Sequence, residues 1–240
     1  MKFSRLFMSV LIPVMSFYHL ETMANDHEGG VSFGSSTRII FNEKENKISF
    51  PVNNGSERPY IFHALVLNED LKNYCPEFIV SPEVVHIPQK HSRIAQIVRI
   101  GGSFPEDRET LFYLQGHFLP GVKDEVNNKL SMRLSYSIKM KMFFRPDKLH
   151  ADFDAVDKIA DQLDFNVDGN KLIVKNKSAY YLTLNEILLG DKHLPIPDES
   201  SMIAPFGLVD FILPKHYEKK ITWTLINDGG YATKPLTRNL

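Results

Sequence analysis

The stretch "LSMRLSYSIKMKMFFRP", Leu130–Pro146, decides how this chain is read. Its even positions are apolar: Met132, Leu134, Tyr136, Ile138, Met140 and Met142. Its odd positions from Ser131 to Lys141 are polar or basic. Alternation with a period of two describes a strand with one apolar face. The pattern is about twice the usual strand length of roughly 5–6 residues. Periodicity alone leaves two accounts open. Either the strand is central and covered at both ends, or part of its apolar face and edge pairs with another protein.

The neighbouring sequence has the same character. "TRIIF", "ISFPVNN", "PYIFHALVL", "EFIVS", "RIAQIVRI" and "ETLFYLQGHFLP" are short runs rich in Val, Ile, Phe and Tyr. Turn residues separate them at the spacing of an all-β sandwich. Around Pro146 to Asp154 the pattern weakens into "RPDKLHADFDAVDKIADQL", with room for a helical turn or two. This is the expected domain junction. Strand-like runs then resume in "LDFNV", "KLIVKN", "YYLTLNEILL", "MIAPFGLVDFIL" and "KKITWTLIND". Asp168-Gly169 marks a hairpin turn. No internal repeat aligns in the sequence. The expected architecture is two β-sandwich domains, at 25–147 and 148–240.

The chain has 240 residues and a formal net charge of -1. That balance argues against a nucleic-acid binder, which needs a basic excess. At 43% hydrophobic and 24% charged residues, a globular core is within reach. Residues 1–24 read as a cleaved secretory signal. Lys2 and Arg5 precede the apolar "LFMSVLIPVMSF", and "TMA" ends at Ala24. The alternative is an N-terminal membrane anchor, but Pro13 interrupts a run shorter than the about 20 residues a span needs. Cys75 is the one cysteine, so no intrachain disulfide forms and no chemistry is assigned to it.

Catalytic patterns are missing. There is no HExxH, no cysteine pair, no G-x-S-x-G and no P-loop. His86 and His91 flank a polar turn without a supporting carboxylate. Glu106, Asp107 and Glu109 sit in a turn that reads as a solvated face. Asn54-Gly55-Ser56 and Asn176-Lys177-Ser178 fit the glycosylation pattern, which is common by chance. The reading is a non-enzyme with no cofactor and no metal.

Several motifs, in order, resemble the PapD type of periplasmic pilus chaperone, and the likeness covers nearly all of the chain after the signal. They are "TRIIF", "ISFPVNNGSERPY", "PEDRETLFYLQGHFLP", "IKMKMFFRP" and "WTLINDGG". The resemblance implies a boomerang of two immunoglobulin-like domains and a periplasmic chaperone for fimbrial subunits, which it passes to an outer-membrane usher. It implies that Arg38 and Lys141 bind the C-terminal carboxylate of an unfolded subunit. Met132, Leu134, Tyr136 and Ile138 match the side chains donated to the subunit's open groove. Glu109, Arg145 and Asp228 match an interdomain ion network. It also implies a cis Ser81–Pro82 bond. The short connection between Pro120 and Leu130 matches the short-loop branch.

Departures from the family pattern are Glu83, Gln89, Gly121 and Ala179, all at turns or a strand entry. A fimbrial subunit or two-domain adhesin is the alternative, but it should carry an alternating N-terminal extension. Here "NDHEGGVSFGSS" reads as short and polar. Self-association through the donor strand is a further expectation.

Overall fold

The computed structural model describes residues 29–34, 36–121, 134–149 and 154–240. The proposed signal and Met132 lie outside the described residues. Among the described residues the molecule is all-β apart from one short helix and two 3-10 turns, and its strands form two sandwiches.

The first sandwich contains β1 (Val31–Phe33), β2 (Arg38–Asn42), β3 (Lys47–Asn54), β4 (Tyr60–Asn68), β5 (Phe78–Ser81), β6 (Val84–Ile87), β7 (His91–Arg99), β8 (Thr110–Pro120) and β9 (Tyr136–Arg145). One sheet has the order β1-β3-β7-β5, the other β2-β9-β8-β4-β6. Every pairing is antiparallel except β2 with β9, which run parallel. Alternating side chains of both sheets meet in one core, where Phe41, Phe62, Phe118, Ile97 and Leu114 are wholly buried. Phe33 and Phe62 crowd the backbone at Gly116, where a β-carbon would lie 2.6 Å from each ring. Only glycine fits that strand position. The Ser81–Pro82 peptide is cis.

The second sandwich follows helix α1 (Ala155–Ile159). It contains β10 (Leu163–Asp168), β11 (Lys171–Asn176), β12 (Leu182–Leu189), β13 (Lys192–His193), β14 (Met202–Ile203), β15 (Leu208–Ile212), β16 (Lys220–Ile226) and β17 (Leu236–Asn239). Its sheets are β10-β11-β15 and β13-β12-β16-β17, with β14 also on β12. Trp223 is buried on Phe165 at 4.7 Å between ring centroids, and its indole N–H donates to Ala160 O at 3.0 Å.

Several readings need correction. The polar-looking "NDHEGGVSFGSS" contains β1, which pairs with β3 before the chain crosses to the other sheet as β2. "MIAPFGLVDFIL" is two strands, β14 and β15, because Pro205 and a left-handed Phe206 (φ 60°) break it. β9 begins at Tyr136, so Leu134 precedes the strand rather than lying in it. Glu109 is buried, unlike the exposed Glu106 and Asp107 beside it.

The two Asn-x-Ser triplets play one structural part in both sandwiches. Asn54 ends β3 and Asn176 ends β11, and both are buried. Asn54 Nδ2 lies within 2.7–3.2 Å of the carbonyl oxygens of Arg58, Ile87 and Pro88. Asn176 Nδ2 repeats this with Tyr180, Ile203 and Ala204. In each case Oδ1 accepts from the N–H and Oγ–H of the serine two residues on. A buried amide satisfies backbone groups that would otherwise be costly to enclose.

Candidate functional site

β9 has one fully paired edge and one half-paired edge. β8 accompanies it from Tyr136 (opposite Phe118) to Phe144 (opposite Thr110). On the other side β2 joins only from Lys141, opposite Arg38, to Arg145. Among the described residues no strand covers that edge from Tyr136 to Met140. The inner-face side chains follow the same gradient. Leu134, just before the strand, is 58% exposed and Tyr136 46%, whereas Met140 is 9% and Met142 0% exposed. The apolar row therefore runs out of the core at its N-terminal end.

The outer face carries the charge. Because β2 and β9 are in parallel register, Arg38 and Lys141 stand side by side. They line a cleft of about 380 Å³ with Tyr113 and Lys139 from the first sandwich and Ile226 and Gly230 from the second. Arg38 is buried, packs 5.6 Å above the Phe143 ring and donates from Nη1 to Ile226 O at 3.1 Å. Its Nε is buried without a hydrogen-bond partner. Burial lowers the Arg38 pKa, opposed by the charges of Asp228 and Glu109. Burial, then the charge of Arg38, lowers that of Lys141, while exposed Asp198 opposes the shift. Two cations held together at a desolvated site favour an anion between them.

Directly behind the cleft, Arg145 ties the sandwiches together. Its Nε donates to Glu109 Oε1 at 2.8 Å, and Nη1 and Nη2 donate to the two oxygens of Asp228 at 2.8 and 3.0 Å. Glu109 Oε2 also accepts from the backbone N–H of Tyr181 at 2.8 Å. All three ionic side chains are buried. Burial tends to lower the pKa of Arg145, but Asp228 and Glu109 more than offset this and raise it. Burial pushes the Glu109 carboxyl up to about 7 even though Arg145 opposes the shift. An apolar cluster of Leu111, Phe143 and Tyr181 lies beside the network, with Phe143 and Tyr181 ring centroids 5.5 Å apart.

Tyr113, Lys139 and the Ile226 carbonyl were not singled out in the sequence. Lys139 shares the outward parity of Lys141 on β9 and Tyr113 lies opposite Lys141 on β8, and that parity was the available signal. His86 and His91 join no metal cluster; among the described residues no group of three His, Cys, Asp or Glu could hold an ion. Cys75 is buried, its thiol pushed up to about 12 by burial and by Glu77, to which Sγ donates at 3.0 Å. No helix among the described residues is long and apolar enough to cross a membrane.

Two sandwiches are joined by a buried ion network, and a half-open strand leads to a basic cleft. Comparison with known proteins names the family. Residues 33–150 match the model of the pili and flagellar-assembly chaperone PapD N-terminal domain, and residues 158–236 that of the pili assembly chaperone PapD C-terminal domain. The chain is 31% identical over 222 residues to the chaperone protein PsaB of Yersinia pestis, spanning 83% of this chain and 80% of that one. The crystal structure of the E. coli chaperone DraB superposes with a TM-score of 0.76 at 29% identity, covering 88% of this chain and 98% of the other. A chain in the structure of the Salmonella enterica SafA pilin in complex with the SafB chaperone also gives 0.76, at 26% identity over 88% and 96% of the two chains. This chain belongs to the PapD family of pilus-assembly chaperones.

Proposed function

We propose that the protein binds fimbrial subunits in the periplasm by lending them a strand, and delivers them to an outer-membrane usher. The observation that carries this reading is the half-paired β9, whose open edge ends at Arg38 and Lys141. An added strand gains main-chain hydrogen bonds along such an edge, and alternate side chains enter pockets. The client strand lies where β2 would continue. It ends with its carboxylate at the basic pair and extends only toward Tyr136, because β2 occupies the other direction. It therefore runs parallel to β9.

Met132, Leu134, Tyr136 and Ile138 fill the client's groove in this reading. Each apolar side chain fully buried there contributes on the order of 1.5–3 kcal/mol. The carboxylate fixes the register, since Arg38 and Lys141 supply charge-assisted hydrogen bonds at one point. The chemistry needed is binding alone, with no catalysis and no cofactor. The SafA–SafB complex, in which a relative accompanies a pilin, supports subunits as clients.

We further assign a cleaved signal to residues 1–24 and the domains to 25–147 and 148–240. Glu109, Arg145 and Asp228 set the angle between those domains. The free edge also offers a route to self-association, which sedimentation across concentrations tests.

The test is periplasmic co-purification of the tagged protein with subunits encoded beside it, comparing wild type with Arg38→Ala and Lys141→Ala. A stoichiometric complex lost in both variants is expected. A complex that survives both removes the anchor, and the absence of any complex removes the chaperone reading for those subunits.

A further inference from the structure

The turn after β16 fastens the second sandwich to two different groups of the first. The Ile226 carbonyl accepts from Arg38 Nη1 at 3.1 Å, in the wall of the cleft. Two residues on, the Asp228 carboxylate receives both terminal nitrogens of Arg145, in the domain interface. The Gly229 carbonyl accepts from Ser36 Oγ at 3.3 Å. Gly230, at φ +84°, lies so close to the start of β2 that a β-carbon there would fall 2.6 Å from Thr37 Oγ1. The turn is also braced internally. Gly230 N donates to Asn227 O at 2.9 Å, Tyr231 N to Asn227 Oδ1 at 3.0 Å, and Asn227 N to Tyr231 O at 2.8 Å. One short, stiff segment thus holds an arginine that faces the cleft and an arginine that faces the interface.

We infer that turn 226–230 couples carboxylate binding in the cleft to closure of the domain interface, with Asp228 acting as a positioning residue for Arg38. The inference rests on the carboxylate-anchor reading given above. Arg38 and Lys141 are neighbouring cations, so the empty cleft carries repulsion that a client carboxylate removes. Arg38 is then held from both sides, by the carboxylate and by Ile226 O. The turn that supplies Ile226 O is kept in place by the Asp228–Arg145 pair. Loosening that pair frees the turn and leaves Arg38 without a fixed direction. The charge of Asp228 also acts on Arg38 directly, opposing the effect of its burial. Coupling of this kind is reciprocal: what the interface does for the carboxylate, the carboxylate does for the interface.

The experiment uses one synthetic peptide of alternating apolar residues, made with a free C-terminal carboxylate and as the C-terminal amide. Affinities are measured for wild type, Asp228→Asn and Ser36→Ala, and amide hydrogen exchange is followed in wild type. Wild type is expected to prefer the free carboxylate. Asp228→Asn is expected to lose at least about fivefold of that preference with its affinity for the amide form unchanged. Ser36→Ala, which removes a clasp outside the ion network, keeps the test available should Asp228→Asn not fold; it loses a smaller part in the same direction. The free-carboxylate peptide is expected to slow exchange at Gly230 and Thr233 more than the amide does. Full preference retained in the folded variants, with identical exchange under both peptides, overturns the coupling and leaves the anchor standing. Equal binding of both peptides by wild type overturns the anchor, and the coupling with it.

Discussion

The two halves of β9 lie in opposite environments. From Lys141 to Arg145 the strand lies between β2 and β8, with its even side chains in the core and its odd ones against the second sandwich. From Tyr136 to Met140 it keeps β8 but has no partner on the other edge among the described residues, and Tyr136 stands half in solvent. The inward row of even positions runs through both halves, while the odd positions change from polar to apolar at Phe143. What differs is the position at which β2 begins. Alternation shows that a strand has an apolar face, but the neighbouring strand's starting point decides who covers it.

The largest effects belong to the enclosed half. Arg145→Ala leaves Glu109 and Asp228 buried without their cation and is expected to cost about 3–5 kcal/mol, read from urea denaturation. A loss below about 1 kcal/mol would mean that this half is held by its apolar contacts alone. Met142→Ala empties a fully buried site and should cost about 2–5 kcal/mol. Its counterpart in the open half, Tyr136→Ala, is expected to shift stability of the free protein by no more than about 0.5 kcal/mol while weakening subunit capture. Equal losses at Met142 and Tyr136 would erase the distinction between the halves.

A pH series sharpens the comparison further. Glu109 has a folded-state pKa raised from 4.5 to about 7, so between those values the folded protein holds a proton that the unfolded chain has released. The corresponding stability is fully present below about 4.5 and is lost as the pH climbs to about 7. Urea midpoints for wild type should fall across that window, and Glu109→Gln should flatten the fall. An unchanged slope in the variant would assign the dependence to other groups. The smallest effect is at Cys75: with its thiol pushed up to about 12 and buried, the native protein should resist modification by a disulfide reagent at neutral pH. Rapid labelling would show that the connection between β4 and β5 opens locally.

The strand content was legible because most strands bury one face and therefore alternate. β4, for example, alternates buried residues with less buried ones from Tyr60 to Val66. β1, β6, β13 and β17 were harder to see. β1 has three residues, β13 two, and β17 (Leu236–Asn239) is largely exposed, so none presents a long apolar period. β6 follows a proline turn and is only four residues long. Burial of Glu109 was invisible to local reading, since "PEDRET" has the composition of a solvated turn. Its environment comes from Arg145 and from the backbone at Tyr181, both far along the chain. The proximity of Arg38 to Lys141 is likewise a fact of parallel pairing between distant strands. Only the likeness to a family linked those positions in the sequence.

The buried amides of Asn54 and Asn176 bear on how the protein can be produced. The nitrogen that would carry a sugar is the one enclosed by three carbonyl oxygens in each sandwich. In a secretory host that glycosylates nascent chains, both triplets would be presented before folding, and a sugar on either nitrogen would have no room in the finished turn. Such a host would deliver two populations: unmodified molecules that fold, and modified ones that cannot close that sandwich. Glutamine substitution would remove the sugar but not restore the short side chain the turn is built around. A host without that modification, rather than a mutation, is the remedy.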